Sequence, residues 1–282
     1  MADDFQELAR FRTTHPSAHH LAGGLEWEYI ASGIGGETLL LLPGALGRAE
    51  TAFHYVLAFE DRYRVIACTY PAAADSVERV VNGLASLLDA QHVARAHVVG
   101  GSFSGLVGQY MVAAYPERVA SLILANSGAP FSHRHWHFTW ISRILALLPQ
   151  RALYAVMQRS VRLFLARETA EHEFWRAYFA EIIPTFTKAE LLGRARLMAA
   201  MTAPTQVAQW AQSHYAGPVL IVDAVDDRIF GASQRAALRN KYPQARQVVL
   251  AAQGHSATLD RTTAYIASFE AFLQGITSPS VE

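Results

Sequence analysis

Ser102 stands in the run Val98-Val99-Gly100-Gly101-Ser102-Phe103-Ser104-Gly105. An apolar run ends in Gly100, a serine follows two residues later, and a helical pattern begins at once. This is the context a nucleophile elbow, G-x-S-x-G, requires: a turn too tight for large flanking residues pushes the serine into the open at a strand end. The usual final glycine is replaced here by Ser104, with Gly105 next. A serine used as a nucleophile needs a base, and the base needs an orienting group. His255 follows Val248-Val249-Leu250 in a loop, and Asp226-Asp227 follows the run Val219-Leu220-Ile221-Val222. Ser102, Asp227 and His255 thus each stand just past a predicted strand. Asp227 precedes Arg228-Ile229-Phe230, and Asp226 is the alternative acid; Asp223 is too early, still within the strand. A developing oxyanion needs two backbone N–H donors. The elbow offers Phe103, and the loop Pro43-Gly44-Ala45-Leu46-Gly47 offers Ala45.

The elements that must carry these residues read as alternating strands and helices. An alternating strand is predicted at Leu25–Ser32, and buried strands at Thr38–Leu42, Tyr63–Cys68, Ala96–Gly100, Leu122–Ala125, Val219–Val222 and Gln247–Ala251. Between them, Val77, Val80, Val81, Leu84, Leu87 and Leu88 share one helical face, with Asp75 and Glu78 resembling a capping box. A second helix runs from Phe103 towards Tyr115, stopped by Pro116, and the last from about Asp260 to Gly275. Alternation of this kind gives an α/β fold, with a mostly parallel, doubly wound sheet covered on both faces. Residues 131–216 interrupt it with helical repeats and four of the five tryptophans, which predicts a helical cap. The expected organisation is a loosely attached tail over 1–24, core over 25–130, cap over 131–216 and core again over 217–282. Trp136, Trp140, Leu145 and Leu148 are the expected walls of an apolar substrate pocket.

Composition bounds the partners. Of 282 residues, 51% are hydrophobic, 24 are Lys or Arg and 24 are Asp or Glu. A chain without net charge lacks the footprint of a nucleic-acid or polybasic membrane binder. No apolar run approaches the roughly 18 residues of a spanning helix, and the acidic N-terminal run is unlike a signal peptide. A cytoplasmic protein with a small-molecule acyl substrate is expected. The single cysteine, Cys68, reads as a small core residue. Gly33-Ile34-Gly35-Gly36 opens no helix and makes no phosphate loop. His133, His135 and His137 would share a face on a strand and could then hold zinc, but no acid or cysteine lies nearby. No metal and no cofactor is expected.

The chain resembles the α/β-hydrolase superfamily over roughly 25–130 and 217–275, on the elbow, the Pro43-Gly44 loop and the order Ser102, acid, His255. Within it, Tyr63-Arg64-Val65-Ile66-Ala67, Tyr70-Pro71, Leu122-Ile123-Leu124-Ala125-Asn126-Ser127, Asp223-Ala224-Val225-Asp226 and Lys241-Tyr242-Pro243-Gln244-Ala245-Arg246 resemble maspardin and related proteins. The resemblance implies an α/β-hydrolase fold, with a sheet of about eight strands, and an acyl transfer chemistry. It also implies a rival role, since maspardin is regarded as a non-catalytic binding partner whose counterpart of the His255 loop lacks the histidine. Haloalkane dehalogenases and epoxide hydrolases of this superfamily use an aspartate at the elbow, and Ser102 argues against both. Ester, thioester, lactone, amide and C–C hydrolysis and a lyase reaction remain open.

Overall fold

The computed structural model describes residues 2–165, 169–225, 227, 229–251, 254–260 and 262–277. Eight strands form one sheet: β1 (Ala18–Ala22), β2 (Leu25–Ser32), β3 (Thr38–Leu42), β4 (Arg64–Thr69), β5 (Ala96–Gly101), β6 (Val119–Ala125), β7 (Val219–Ala224) and β8 (Arg246–Leu250). Their spatial order is β1-β2-β4-β3-β5-β6-β7-β8. β1 and β2 pair antiparallel, as do β2 and β4, and all other pairs are parallel. The expectation of a mostly parallel sheet of about eight strands is met.

Helices connect them: α1 (Ala2–Thr14), α2 (Phe53–Phe59), α3 (Val77–Ala90) and α4 (Phe103–Ala114) come before β6. Five more lie between β6 and β7, namely α5 (His135–Leu147), α6 (Gln150–Phe164), α7 (Ala170–Ile182), α8 (Lys188–Met201) and α9 (Pro204–Gln212). α10 (Ala232–Lys241), α11 (Ala257–Asp260) and α12 (Thr262–Thr277) complete the order. The period of two in the central strands sorts their side chains onto two cores. Leu40, Leu42, Val98, Leu122 and Leu124 pack with α3 and α4 on one face. Leu39, Leu41, Val99, Ile123 and Val222 pack with α1, α2, α7 and α12 on the other. Cys68, on β4, is fully buried among the first set, and burial pushes its thiol up to about 12.

Three expectations need correction. Residues 2–22 are not loosely attached: Leu8 and Phe11 of α1 are buried, Arg12 grips Glu50 with two hydrogen bonds at 2.8 and 2.9 Å, and β1 extends the sheet. The apolar positions 5, 8 and 11 carry a helical spacing that the surrounding polar residues mask, and β1 is held by main-chain pairing, with only Ala22 buried. The cap of α3 is Ser76, whose Oγ accepts from Arg79 N, while Asp75 pairs with Arg79 instead. β8 is not a buried strand but the sheet edge, and its side chains are half-buried or exposed.

Candidate active site

Every parallel strand of the centre points its C-terminal end the same way, and in open α/β sheets that edge is where ligands bind. Ser102 follows β5, Asp227 follows β7, His255 follows β8, and the loop 43–47 follows β3. Ser102 has φ 53° and ψ −118°, a left-handed conformation rare outside glycine. It is over-determined from its surroundings: Ser102 N donates to Ala125 O at 2.9 Å, and Ser127 Oγ donates to Ser102 O at 3.1 Å. The tightness of the turn is visible at Gly100, where a Cβ would meet Ser104 O at 2.4 Å. Ser104 is tolerated because its hydroxyl folds onto Gly101, accepting from its N–H at 2.9 Å and donating to its carbonyl at 2.8 Å.

The structure brings Ser102, His255 and Asp227 into one hydrogen-bonded row. His255 Nε2 lies 2.6 Å from Ser102 Oγ, and His255 Nδ1 lies 2.8 Å from Asp227 Oδ2. Asp227 is 5% exposed, and its other oxygen accepts from Ile229 N at 2.8 Å. An imidazole with its proton on Nδ1, facing the carboxylate, leaves Nε2 to accept from the serine hydroxyl. Asp226 lies outside the described residues. Asp223 is still within β7, where it pairs with Arg239 at 3.5 Å; burial raises its carboxyl above the usual range.

Ser102 and His255 open on a cavity of about 480 Å³. Its walls are Leu46, Tyr55, Val99, Leu259 and Phe269 of the sheet portion, with Val161 and Phe164 of α6 and Phe179 of α7. Ala45 lines it as well. Phe103 heads α4, where a backbone N–H has no intrahelical acceptor. The described lining residues include no Asp, Glu, Lys or Arg.

The family described as the alpha/beta hydrolase fold matches residues 38–262, four-fifths of the chain and all three residues of the row. The chain belongs to that family. A putative carbamate hydrolase, RutD, from Variovorax paradoxus (strain S110) is 28% identical over 273 residues, 95% of this chain and 98% of that one. A 2-hydroxy-6-oxononadienedioate/2-hydroxy-6-oxononatrienedioate hydrolase from Burkholderia vietnamiensis is 38% identical, but over 119 residues, 37% of this chain and 41% of that protein. Among solved structures, the enol-lactonase of Burkholderia xenovorans LB400 superposes with a TM-score of 0.72 at 21% identity, over 91% of this chain and 100% of that one.

Several residues of this α/β-hydrolase fold support the row without being evident in the sequence. Asn126 ends β6 with φ 44°. Its amide donates to His255 O at 3.2 Å, and its Oδ1 accepts from Ala224 N at 3.0 Å and from Tyr265 OH at 2.8 Å. One side chain thus ties the ends of β6 and β7 to the His255 loop and α12. Arg194 of α8 is buried, and its Nη1 donates to Ala45 O at 3.0 Å and Gly47 O at 2.8 Å. Burial lowers the Arg194 guanidinium to about 10, which still leaves it charged at neutral pH. It and Arg48 both lie over the Phe186 ring, at centroid distances of 4.7 and 4.3 Å. A lone arginine in a helical run gives no signal of such a contact; only the buried face of α8 would have hinted at it.

The four residues expected to wall the pocket do not reach it. Trp136 and Trp140 are 58% and 55% exposed on α5. Leu145 and Leu148 are half-buried against the core and away from the cavity. Helical spacing identifies an apolar face but not which neighbour covers it, and α6 and α7 occupy the place expected for α5. His135 and His137 open α5 instead of lying on a strand, so the alternate histidines diverge. His135 Nδ1 faces Ala199 O at 3.0 Å.

Proposed function

We propose that this chain is a serine hydrolase that cleaves an ester or thioester of a small to medium, uncharged, apolar acyl group. The observation that carries this reading is the unbroken row from Ser102 through His255 to Asp227, at 2.6 and 2.8 Å, opening on an apolar cavity. Ser102 Oγ attacks the acyl carbonyl while His255 Nε2 takes its proton. Asp227 holds the imidazole and stabilises its charged form. The N–H groups of Phe103 and Ala45 receive the oxyanion. The tetrahedral intermediate collapses, and His255 returns the proton to the leaving alcohol or thiol. Water, deprotonated by His255, then releases the acid from Ser102. The helices between β6 and β7 serve as a cap, with α6 and α7 shaping the acyl pocket and excluding water.

The absence of charged side chains among the described lining residues favours a neutral acyl group over a dicarboxylate of the kind named for the Burkholderia relative. The test is labelling by a fluorophosphonate probe, together with hydrolysis of p-nitrophenyl esters of increasing chain length. Labelling at Ser102 with turnover of neutral esters is the expected result. No labelling and no turnover would favour the maspardin-like reading, a binding protein that keeps the residues without using them. Turnover confined to a carboxylated dienoate would move the reading to C–C hydrolysis.

A further inference from the structure

Between Glu117 and Glu168 the sequence contains no Asp or Glu. α5 and α6 fall within that span and, with Arg134 at the start of α5, present Arg143, Arg151, Arg159 and Arg162. All five arginines are exposed, and none forms an ion pair among the described residues. By contrast, Arg12, Arg48, Arg79 and Arg118 face carboxylates. The neutral total of 24 cations and 24 acids therefore hides a local excess.

The same two helices expose apolar surface. Trp136, Trp140, Ile144 and Leu147 recur at helical spacing on one face of α5, the last of them 85% exposed. Leu163 and Phe164 of α6 are exposed too. Exposed aromatic and aliphatic groups on two consecutive helices, interspersed with cations, mark an interaction surface. The Arg143 guanidinium lies 5.4 Å from the centre of the Trp140 ring, so charge and apolar surface are presented together.

We propose that the α5–α6 surface docks on an anionic lipid layer. Headgroup phosphates match the guanidiniums, and the headgroup–acyl boundary accepts tryptophan, isoleucine and leucine side chains. A second copy of the chain fits less well, because a symmetric contact would set these arginines against each other. A layer bound here meets the cavity, since Ser160, Val161 and Phe164 of α6 form part of its wall. No helix among the described residues is long and apolar enough to cross a membrane, so the contact is peripheral.

The test is co-sedimentation of the full chain with phosphatidylcholine vesicles, with and without about a third phosphatidylglycerol. Binding to the anionic vesicles alone is expected, weakening at least ~10-fold as salt rises from about 50 to about 500 mM. The triple variant Arg151→Gln/Arg159→Gln/Arg162→Gln should bind about 100-fold more weakly, each lost basic residue costing several-fold. Ile144→Ser/Leu147→Ser should lower binding to the same vesicles while leaving the salt dependence in place. Both variants should keep the wild-type melting temperature and rate on a short soluble ester. Vesicle binding is read without turnover, so its result stands or falls apart from the serine-hydrolase reading. Equal binding to neutral and anionic vesicles, or no effect of either variant, would overturn the proposal. So would a wild-type dimer that Ile144→Ser/Leu147→Ser makes monomeric without any vesicle binding, which would assign the face to a second copy.

Discussion

Ser102 combines a strained backbone with a short contact to His255. A non-glycine residue in such a conformation costs on the order of 1–3 kcal/mol, and it persists only where the surroundings hold it. Here Ala125 O and Ser127 Oγ do so. Ser102→Ala should therefore fold normally and lose at least ~10³-fold in kcat, and His255→Ala should lose a similar amount because the row acts as a unit. Asp227→Asn should cost on the order of 10⁴ in kcat by leaving the imidazole in the wrong tautomer. Steady-state kinetics on a neutral p-nitrophenyl ester measures all three, and wild-type kcat in any of them would dismantle the mechanism. Arg194 acts one step removed, through the carbonyls of Ala45 and Gly47. If the loop it holds receives the oxyanion as proposed, Arg194→Met should lower kcat about 10²-fold with little change in KM. Arg194→Lys should recover part of the loss. A KM effect equal to the kcat effect would reduce Arg194 to a pocket-shaping role. That Ser102, Asp227 and His255 come together on one sheet edge was legible because each follows an apolar run. Arg194 and Asn126 were not, because their work lies in hydrogen bonds between segments distant in sequence.

At the scale of elements, the central strands were legible from their apolar runs, with ends within a few residues, because parallel strands are buried on both faces. β1 and α1 were not: a strand pinned by main-chain bonds and a helix with few buried positions look like a polar tail. β5 carries a further feature that the sequence leaves silent. His97 is buried on it, with Nδ1 2.8 Å from Ser121 Oγ on β6. Burial is the largest effect on its imidazole and lowers it below the usual histidine range, against the opposing pull of Glu37. The unfolded chain therefore takes up a proton more readily than the folded one. Stability should be unaffected well above pH ~6.5 and should fall as pH drops below that value towards the lower folded-state value. Melting temperatures at about pH 7.5 and about pH 5.5 should show the drop, and His97→Gln should make it smaller. A drop of the same size in His97→Gln would assign it to other groups, of which His54, also lowered by burial, is the first to examine.

On the scale of the whole molecule, the helices between β6 and β7 share both cores with the sheet. Leu153, Phe174 and Trp175 pack in one cluster with Leu39 and Val65, while Leu197, Met201 and Trp210 pack in the other with Leu40 and Val98. The inserted helices should not melt separately. Near-ultraviolet circular dichroism, to which the buried Trp175 and Trp210 of these helices contribute, should follow the same transition as the far-ultraviolet signal. A separate early near-ultraviolet transition would make the inserted helices an independent unit. The sealed position of Cys68 turns this cooperativity into something that can be timed. Its sulfur is closed off on β4 beneath a packed layer, and its thiol is held far from ionisation. A disulfide reagent added to the native protein should therefore find nothing to modify until the sheet opens. The slow appearance of the modified thiol then reports how often the molecule visits its open state. A covalent inhibitor on Ser102, by favouring the closed state, should slow that appearance, so one buried sulfur atom would register the occupancy of the site.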